Sequence, residues 1–427
     1  MENQPLCYSV DRNAESQQAS LLAESMVLFR IPVQRALMSR LKKLGYGTLQ
    51  LGEQVPWAVY DNNGILLLEK GEVVETESQL ETLISRGIYL ADDDVEDDSS
   101  TGNDGSNTGD DDSGQAESVQ ARKSLNPFAE LQQWLVDFDR SMFLLSERRP
   151  ESEVAVRLLA HRIISLGEDD ADACLAMLHC HSVEPTPALH SLFYATLTTL
   201  VGRSLEFSSL TLEGMVAAAI TANVSLLPYQ EKLNQSSRGL TDKLREIINK
   251  HPLLSATLMR QCGVADERWL QAIEQHHEND DGSGYPRGLK KDQLLTEARL
   301  ISLAEKYTAL VTVRGYRQRL LPHEALREIL LNNTQDRLDP LYQIFCREVS
   351  RHPPGSFVKL ANGETAIVIR RGQAGEAPQV RAVITAAGSP YLGAPQRDTA
   401  RREFSIITGV PQPEILALDL PELWGYA

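Results

Sequence analysis

His276-His277-Glu278-Asn279-Asp280-Asp281-Gly282-Ser283-Gly284-Tyr285-Pro286 is the stretch around which the chain is organised. It closes a run of helical spacing, Trp269–Gln275, and leads into a turn rich in glycine. Neighbouring residues on a helix point about 100° apart, because about 3.6 residues make a turn. Two adjacent histidines therefore approach one centre only at a frayed helix end. That end carries partial negative charge, which favours a cation, and histidine is a common metal ligand. A histidine pair alone is more often structural. The whole string, with its glycines, tyrosine and proline, is far more specific.

Outward from this string the pattern is helical, over residues 124–350. Phe128, Leu131, Trp134, Leu135 and Phe138 follow the spacing of a buried stripe. Leu158, Leu159, Ile163 and Leu166 repeat it, as do Leu189 to Leu200 and Leu212 to Ile220. This reads as a bundle of many helices. Residues 351–427 change character. Phe357–Leu360, Ala366–Ile369, Val380–Ile384 and Phe404–Ile407 are strand candidates punctuated by Pro and Gly, so a small β-rich domain is expected. Residues 1–90 read as a small α+β module. Val55–Tyr60 and Ile65–Leu68 flank Asn63-Gly64, a hairpin signal, and Glu77–Ser85 has helical spacing. The fold expected is mainly α, a helical bundle flanked by these two small modules.

Residues 91–123 are an acidic linker. Ala91–Glu117 holds eleven acidic residues and no basic one. Such a composition cannot bury enough surface to offset ordering entropy, so a disordered tether is expected. Much of the net charge of -17 sits there, and no basic stripe of the kind that binds DNA is present. The five cysteines are scattered, with no CxxC pair, which favours a reducing, cytoplasmic compartment and buried free thiols. No uninterrupted run of about 18 apolar residues predicts a membrane span.

The string His276–Pro286 matches in full the HHExxDGxGYP signature of the HD-GYP family, and the chain resembles that family over roughly 186–335. Members are bacterial phosphodiesterases that hydrolyse cyclic di-GMP with two or three metal ions. The similarity continues in Ala298-Arg299-Leu300-Ile301, in Leu303-Ala304-Glu305-Lys306-Tyr307-Thr308-Ala309-Leu310 and in Arg314-Gly315-Tyr316-Arg317. Upstream it includes Lys250-His251-Pro252-Leu253 and His190-Ser191-Leu192. The resemblance implies metal ligands at His190, His251, His276, His277 and Glu305, where the family usually has aspartate. It implies a nucleotide surface from Gly284, Tyr285, Pro286, Arg314 and Arg317. It also implies a divalent metal (Fe, Mn or Zn), cyclic di-GMP as ligand, and a protein partner such as a diguanylate cyclase on the GYP surface.

One departure is decisive for function. With Gly214 and Pro228 on the flanks of the usual HDxGK segment, the His-Asp pair falls on Ile220 and Thr221 and the lysine on Val224. Ile220 has no lone pair, and Thr221 lacks the carboxylate that bridges two metals. A bridging anion offsets the repulsion of cations about 3.5–4 Å apart. Thr186 stands where a third-metal glutamate is often found. His251, His276 and His277 remain as a three-histidine set, a known arrangement for zinc. The first expectation is a degenerate HD-GYP-like protein that binds a nucleotide or a partner with little or no hydrolysis. The alternatives are an active phosphodiesterase with an altered site and a metal-free structural module. His161, His179, His181, His323 and His352 lack partner spacing, and surface or helix-end roles are expected for them.

Overall fold

The computed structural model describes residues 125–426 apart from 183–184, 230–240, 314–317, 333–338, 373–375 and 414–417, together with parts of 41–90. Two compact units divide the chain, one spanning residues 32–124 and a larger one holding residues 125–427. In the smaller unit β1 (Leu41–Lys43), β2 (Val59–Tyr60), β3 (Leu66–Leu68) and β4 (Ile88–Leu90) form an antiparallel sheet of order β1-β4-β2-β3. Val59 pairs with Leu68, the strand pairing that Asn63-Gly64 signals. The helix expected over 77–85, the linker over 91–123, and Arg314 and Arg317 lie outside the described residues.

The larger unit begins with α1 (Pro127–Ser146), α2 (Ser152–Asp169) and α3 (Ala171–His179). Next come α4 (Pro187–Ser204) and α5 (Ser209–Thr221), which runs into a 3-10 turn, Val224–Tyr229. Then follow α6 (Asp242–Gln261), α7 (Glu267–Gln275), α8 (Thr296–Val311), α9 (Pro322–Asn332) and α10 (Pro340–Val349). Their starts are written in the sequence. Asn126, Thr186, Ser208, Thr241 and Asp266 each accept a hydrogen bond from a backbone N–H of the first turn, which satisfies donors that a helix start leaves open.

Helix α4 is the axis of the bundle. Every residue from Ser191 to Gly202 is buried, as expected of a helix surrounded by others. Its threonines return their hydroxyls to the helix: Thr196 donates to Leu192 O, Thr198 to Tyr194 O and Thr199 to Ala195 O. Helix α5 packs beside it and buries Gly214 through Ala222. Ser209–Tyr229 is long and apolar enough by composition to cross a membrane, which a search for uninterrupted apolar runs does not show. In this fold it is a core helix. The largest fully buried side chains, including Trp134, Phe193, Tyr194, Trp269, Tyr307 and Phe345, fill the space between the helices.

The tail forms an antiparallel sheet of order β8-β7-β6-β5-β9 from β5 (Phe357–Leu360), β6 (Thr365–Arg370), β7 (Gln379–Ile384), β8 (Gln396–Asp398) and β9 (Ile406–Val410). Alternation assigns its two faces. Phe357, Ile367, Ile369 and Val383 pack with Ala173, Ala176 and Cys180 around α3, joined by Leu423 and Trp424 of α11 (Leu420–Trp424). Val358, Leu360, Ala366, Val368 and Val380 form the other layer, with Phe404 and Ile406 against it. A strand was expected over Phe404–Ile407; instead Arg402–Phe404 is a 3-10 turn and the strand begins at Ile406. Sheet and bundle meet closely at Gly355 (φ +85°), where a Cβ would lie 2.8 Å from Ala176 Cα.

His179 takes the helix-end role expected of it, but away from the surface: it ends α3 and is buried. Its Nδ1–H donates to Leu175 O at 2.8 Å and to Pro354 O at 3.1 Å, and Nε2 accepts from the Tyr307 hydroxyl at 2.9 Å. Burial lowers its pKa to about 4. His161 is exposed. Cys174, Cys180 and Cys262 are buried thiols, in line with the sequence reading; Cys346 is half-buried and Cys7 lies outside the described residues.

Candidate metal centre

Helix α6 contains Lys250-His251-Pro252. Proline has no N–H, so the carbonyl four residues earlier, Ile248 O, loses its helical donor. The Nδ1–H of His251 takes that carbonyl at 2.6 Å. Helix α7 ends at Gln275, and its last carbonyls lack helical partners too. The Nδ1–H of His276 donates to one of them, Ile273 O, at 2.6 Å. Two local breaks in two helices thus fix two imidazoles in the same tautomer. In each ring the proton is on Nδ1 and the lone pair on Nε2.

Those two Nε2 atoms face each other at 3.3 Å. With both tautomers fixed, no proton remains to bridge them, and two lone pairs at that distance repel unless a cation lies between. Two nitrogens bound to one zinc-sized ion at about 2.0–2.1 Å in tetrahedral geometry stand about 3.3–3.4 Å apart. The ligand atoms of His251, His276 and His277 all lie within 4.8 Å of one another. His251 and His276 are fully buried and the side chain of His277 is 21% exposed. Burial, reinforced by the neighbouring imidazoles, pushes His251 well below the ordinary histidine pKa, and burial followed by His276 and Lys306 does the same to His277. Burial lowers His276, with Glu305 opposing. Three neutral imidazoles converge, and their donor set fits a divalent ion.

The loop after α7 covers this set. Glu278 is buried, and its carboxylate accepts from the backbone N–H of Arg287 at 2.6 Å and of Leu289 at 3.0 Å. Gly284 lies so close to the chain it crosses that a Cβ would sit 2.4 Å from Asn279 N and Glu278 Cα, so only glycine fits. This close crossing turns Tyr285 back over the histidines. Its ring stacks on His277, centroids 4.8 Å apart at 27°, and Pro286 follows through a cis peptide. Asp280 receives Nε and Nη2 of Arg299 at 2.8 and 2.7 Å, and Arg299 also reaches Asp339 at the start of α10.

Glu305, on α8, brings a carboxylate beside His277, outside the set of three whose ligand atoms converge. Its Oε2 is 3.7 Å from His277 Nε2, and its Oε1 accepts from Asn223 Nδ2 at 2.7 Å. Exposed Lys306 stands at the rim, its Nζ 2.9 Å from Asn279 Oδ1. His190, on α4, is half-buried and packs edge-on against Tyr194, centroids 5.7 Å apart. It is not one of the three histidines whose ligand atoms converge. Thr186 caps α4 through Oγ1.

The end of α5 is built differently. Ile220 is buried in the main core cluster, as is Val224. Thr221 is fully buried, donates to Ala217 O at 2.7 Å and accepts from Trp269 Nε1 at 2.9 Å. Its hydroxyl is committed to core partners. Sequence reading missed Asn223 and Tyr194. In the alignment that places Ile220 and Thr221 on the HD pair, Asn223 falls on the glycine of HDxGK, and that substitution is the signal that points to it.

Residues 174–341, from α3 into α10, match a family model described as an HD domain. Over these residues the chain is similar to HD domains. Over 217 residues the chain is 24% identical to a cyclic di-GMP phosphodiesterase of Pseudomonas aeruginosa, covering 50% of this chain and 52% of that protein. It is 43% identical over 91 residues to a cyclic di-GMP phosphodiesterase of Thermotoga maritima, covering 21% and 25% of the two. The chain spans about half the length of the first relatives it matches. A solved structure described as an HDG"Y"P protein from Bdellovibrio bacteriovorus aligns with TM-score 0.45 and 17% identity, covering 71% of this chain and 98% of that one. The matched region holds the three histidines, Glu305 and Asn223 together.

Proposed function

We propose that this protein is a cyclic-dinucleotide signalling protein whose HD domain holds a single divalent ion and hydrolyses its ligand slowly or not at all. The observation that carries this is the contrast at the two ends of the site. Three imidazoles converge with fixed lone pairs, while Thr221 spends its hydroxyl on Ala217 and Trp269. His251, His276 and His277 would hold the ion, with Glu305 beside them. A bound divalent ion supplies Lewis acidity and lowers the pKa of water. Without a bridging carboxylate at position 221, clamping both the attacking and the leaving oxygen of a phosphodiester loses one of its two cations.

The chain's own groups then favour binding. Tyr285 presents a ring for base stacking, with Gly284 and Pro286 shaping the approach, and Lys306 adds positive charge at the rim for phosphate. Arg314 and Arg317 belong to this nucleotide surface in the same reading, and a diguanylate cyclase docked on residues 282–286 is its protein partner. Fe and Zn suit the imidazole donors, and Mn suits the carboxylate beside them. The cytoplasm is the compartment this reading requires.

The second reading, an active phosphodiesterase with an altered site, is favoured by one observation: Glu305 keeps a carboxylate 3.7 Å from His277 Nε2. Metal content and cyclic di-GMP turnover measured on one preparation separate the two. Our reading expects about one ion per chain, heat on titration with cyclic di-GMP, and no turnover above a His276→Ala/His277→Ala control. Two ions with product release would establish the hydrolase. No ion and no heat would leave a structural module.

A further inference from the structure

Asn223 follows the last turn of α5 and lies between two elements that the sequence keeps far apart. Its Nδ2 donates to Glu305 Oε1 at 2.7 Å and to the Tyr194 hydroxyl at 3.2 Å. The Tyr194 hydroxyl passes its own proton to Ser191 Oγ at 3.2 Å, so toward Asn223 it is an acceptor. A carboxylate only accepts. Both neighbours therefore demand the NH2 end of the amide, and the orientation of Asn223 is fixed. Tyr194 is itself fully buried, so the chain Asn223–Tyr194–Ser191 is anchored in the bundle axis.

The consequence falls on Glu305. Its side chain is 15% exposed and carries one more methylene than aspartate, so it has an extra torsion to restrain. Asn223 holds Oε1, which leaves Oε2 facing His277, 3.7 Å from its Nε2 and at the edge of the converging set. We propose that Asn223 is a positioning residue that orients Glu305 as the fourth ligand of the three-histidine ion. The proposal rests on the single-ion reading. It assigns a role at the end of α5 to a residue two places beyond Thr221, acting through a hydrogen bond rather than through the metal.

The test is cobalt(II) added to metal-free full-length protein, read by its visible ligand-field bands and by competition with a chelator. Glu305→Gln is expected to change the bands and weaken binding. Asn223→Ala is expected to change the bands in the same sense and weaken binding about 10–100-fold, the usual effect of losing an outer-shell partner. The double variant should be little worse than either single one, because the two act as a unit. Tyr194→Phe, which keeps the ring and removes one acceptor, should loosen binding in the same direction by less, and it serves if Asn223→Ala fails to fold. Asn223→Ala or Tyr194→Phe with wild-type bands and affinity, beside a changed Glu305→Gln, overturns the proposal and leaves the metal centre standing. Wild-type protein that takes up no cobalt overturns both.

Discussion

Two histidine sites in this molecule begin alike and end differently. His179 and His276 both donate Nδ1–H to a carbonyl near a helix end, Leu175 O in one case and Ile273 O in the other. Beyond Nε2, His179 meets the Tyr307 hydroxyl, a donor, at 2.9 Å. His276 meets the Nε2 of His251, a second lone pair, at 3.3 Å. The first imidazole is satisfied by the protein, and the second is not. What separates a structural histidine from a candidate ligand is the group across from its lone pair, since burial and tautomer are shared.

The strongest way to break this comparison is His276→Ala. Removing a ligand should lower zinc or cobalt affinity by more than the 10–100-fold typical of outer-shell changes, whereas His179→Asn should leave affinity unchanged. Chelator competition on both variants decides it. Acid separates them next. Unfolded chain takes up a proton on histidine near pH 6.5, and folded His179 resists until about pH 4. Between those values the unfolded state binds more protons, so stability falls as pH falls. The loss attached to His179 is on the order of 3 kcal/mol across the window. Urea denaturation of wild type and His179→Asn along a pH series should show a flatter profile for the variant; equal profiles refute the assignment.

Pro252→Ala sharpens the comparison from the other side. It restores an N–H that competes with His251 for Ile248 O. Metal affinity should drop about 10–100-fold, while the helix itself gains from losing an interior proline. Opposite movement of affinity and thermal midpoint is the signature; parallel movement rejects the tautomer argument. The smallest effect expected is that of Thr221→Val, which leaves Trp269 Nε1–H buried without its acceptor. It should cost about 1–3 kcal/mol in urea unfolding with metal affinity unaltered. A fall in affinity would place Thr221 in the site after all.

The helices were legible because amphipathic spacing and capping residues are local signals, and the tail strands because apolar runs were bounded by Gly and Pro. Strand β8, Gln396–Asp398, has no apolar pattern and exists only as the partner of β7. In the site, His276, His277 and Tyr285 were legible from one contiguous string. His251 added a cue of its own, since the proline after it predicts a carbonyl in need of a donor. Tyr194 was not legible, and Asn223 was marked only by its place on the glycine of HDxGK. Their roles depend on Glu305, 82 residues from Asn223 along the chain, and no periodicity encodes that meeting. The burial of His179 was not legible for the same reason: it is completed by Pro354, 175 residues away.

Phe128, in the first turn of α1, packs edge-on against Trp424 and Tyr426, with centroids 5.3 and 6.5 Å apart. The Tyr426 hydroxyl reaches Asp170 at 2.6 Å. The opening helix of the bundle is therefore finished by side chains translated some three hundred residues later. During synthesis the helices can form and collapse early, but the groove on α1 and α3 stays uncovered until residues 424–426 have emerged. Such late closure is slow, because long-range contacts form only after the loop-closure entropy has been met. Shortening the chain at residue 350 would accordingly strip the cover from a standing helical core rather than detach a spare part.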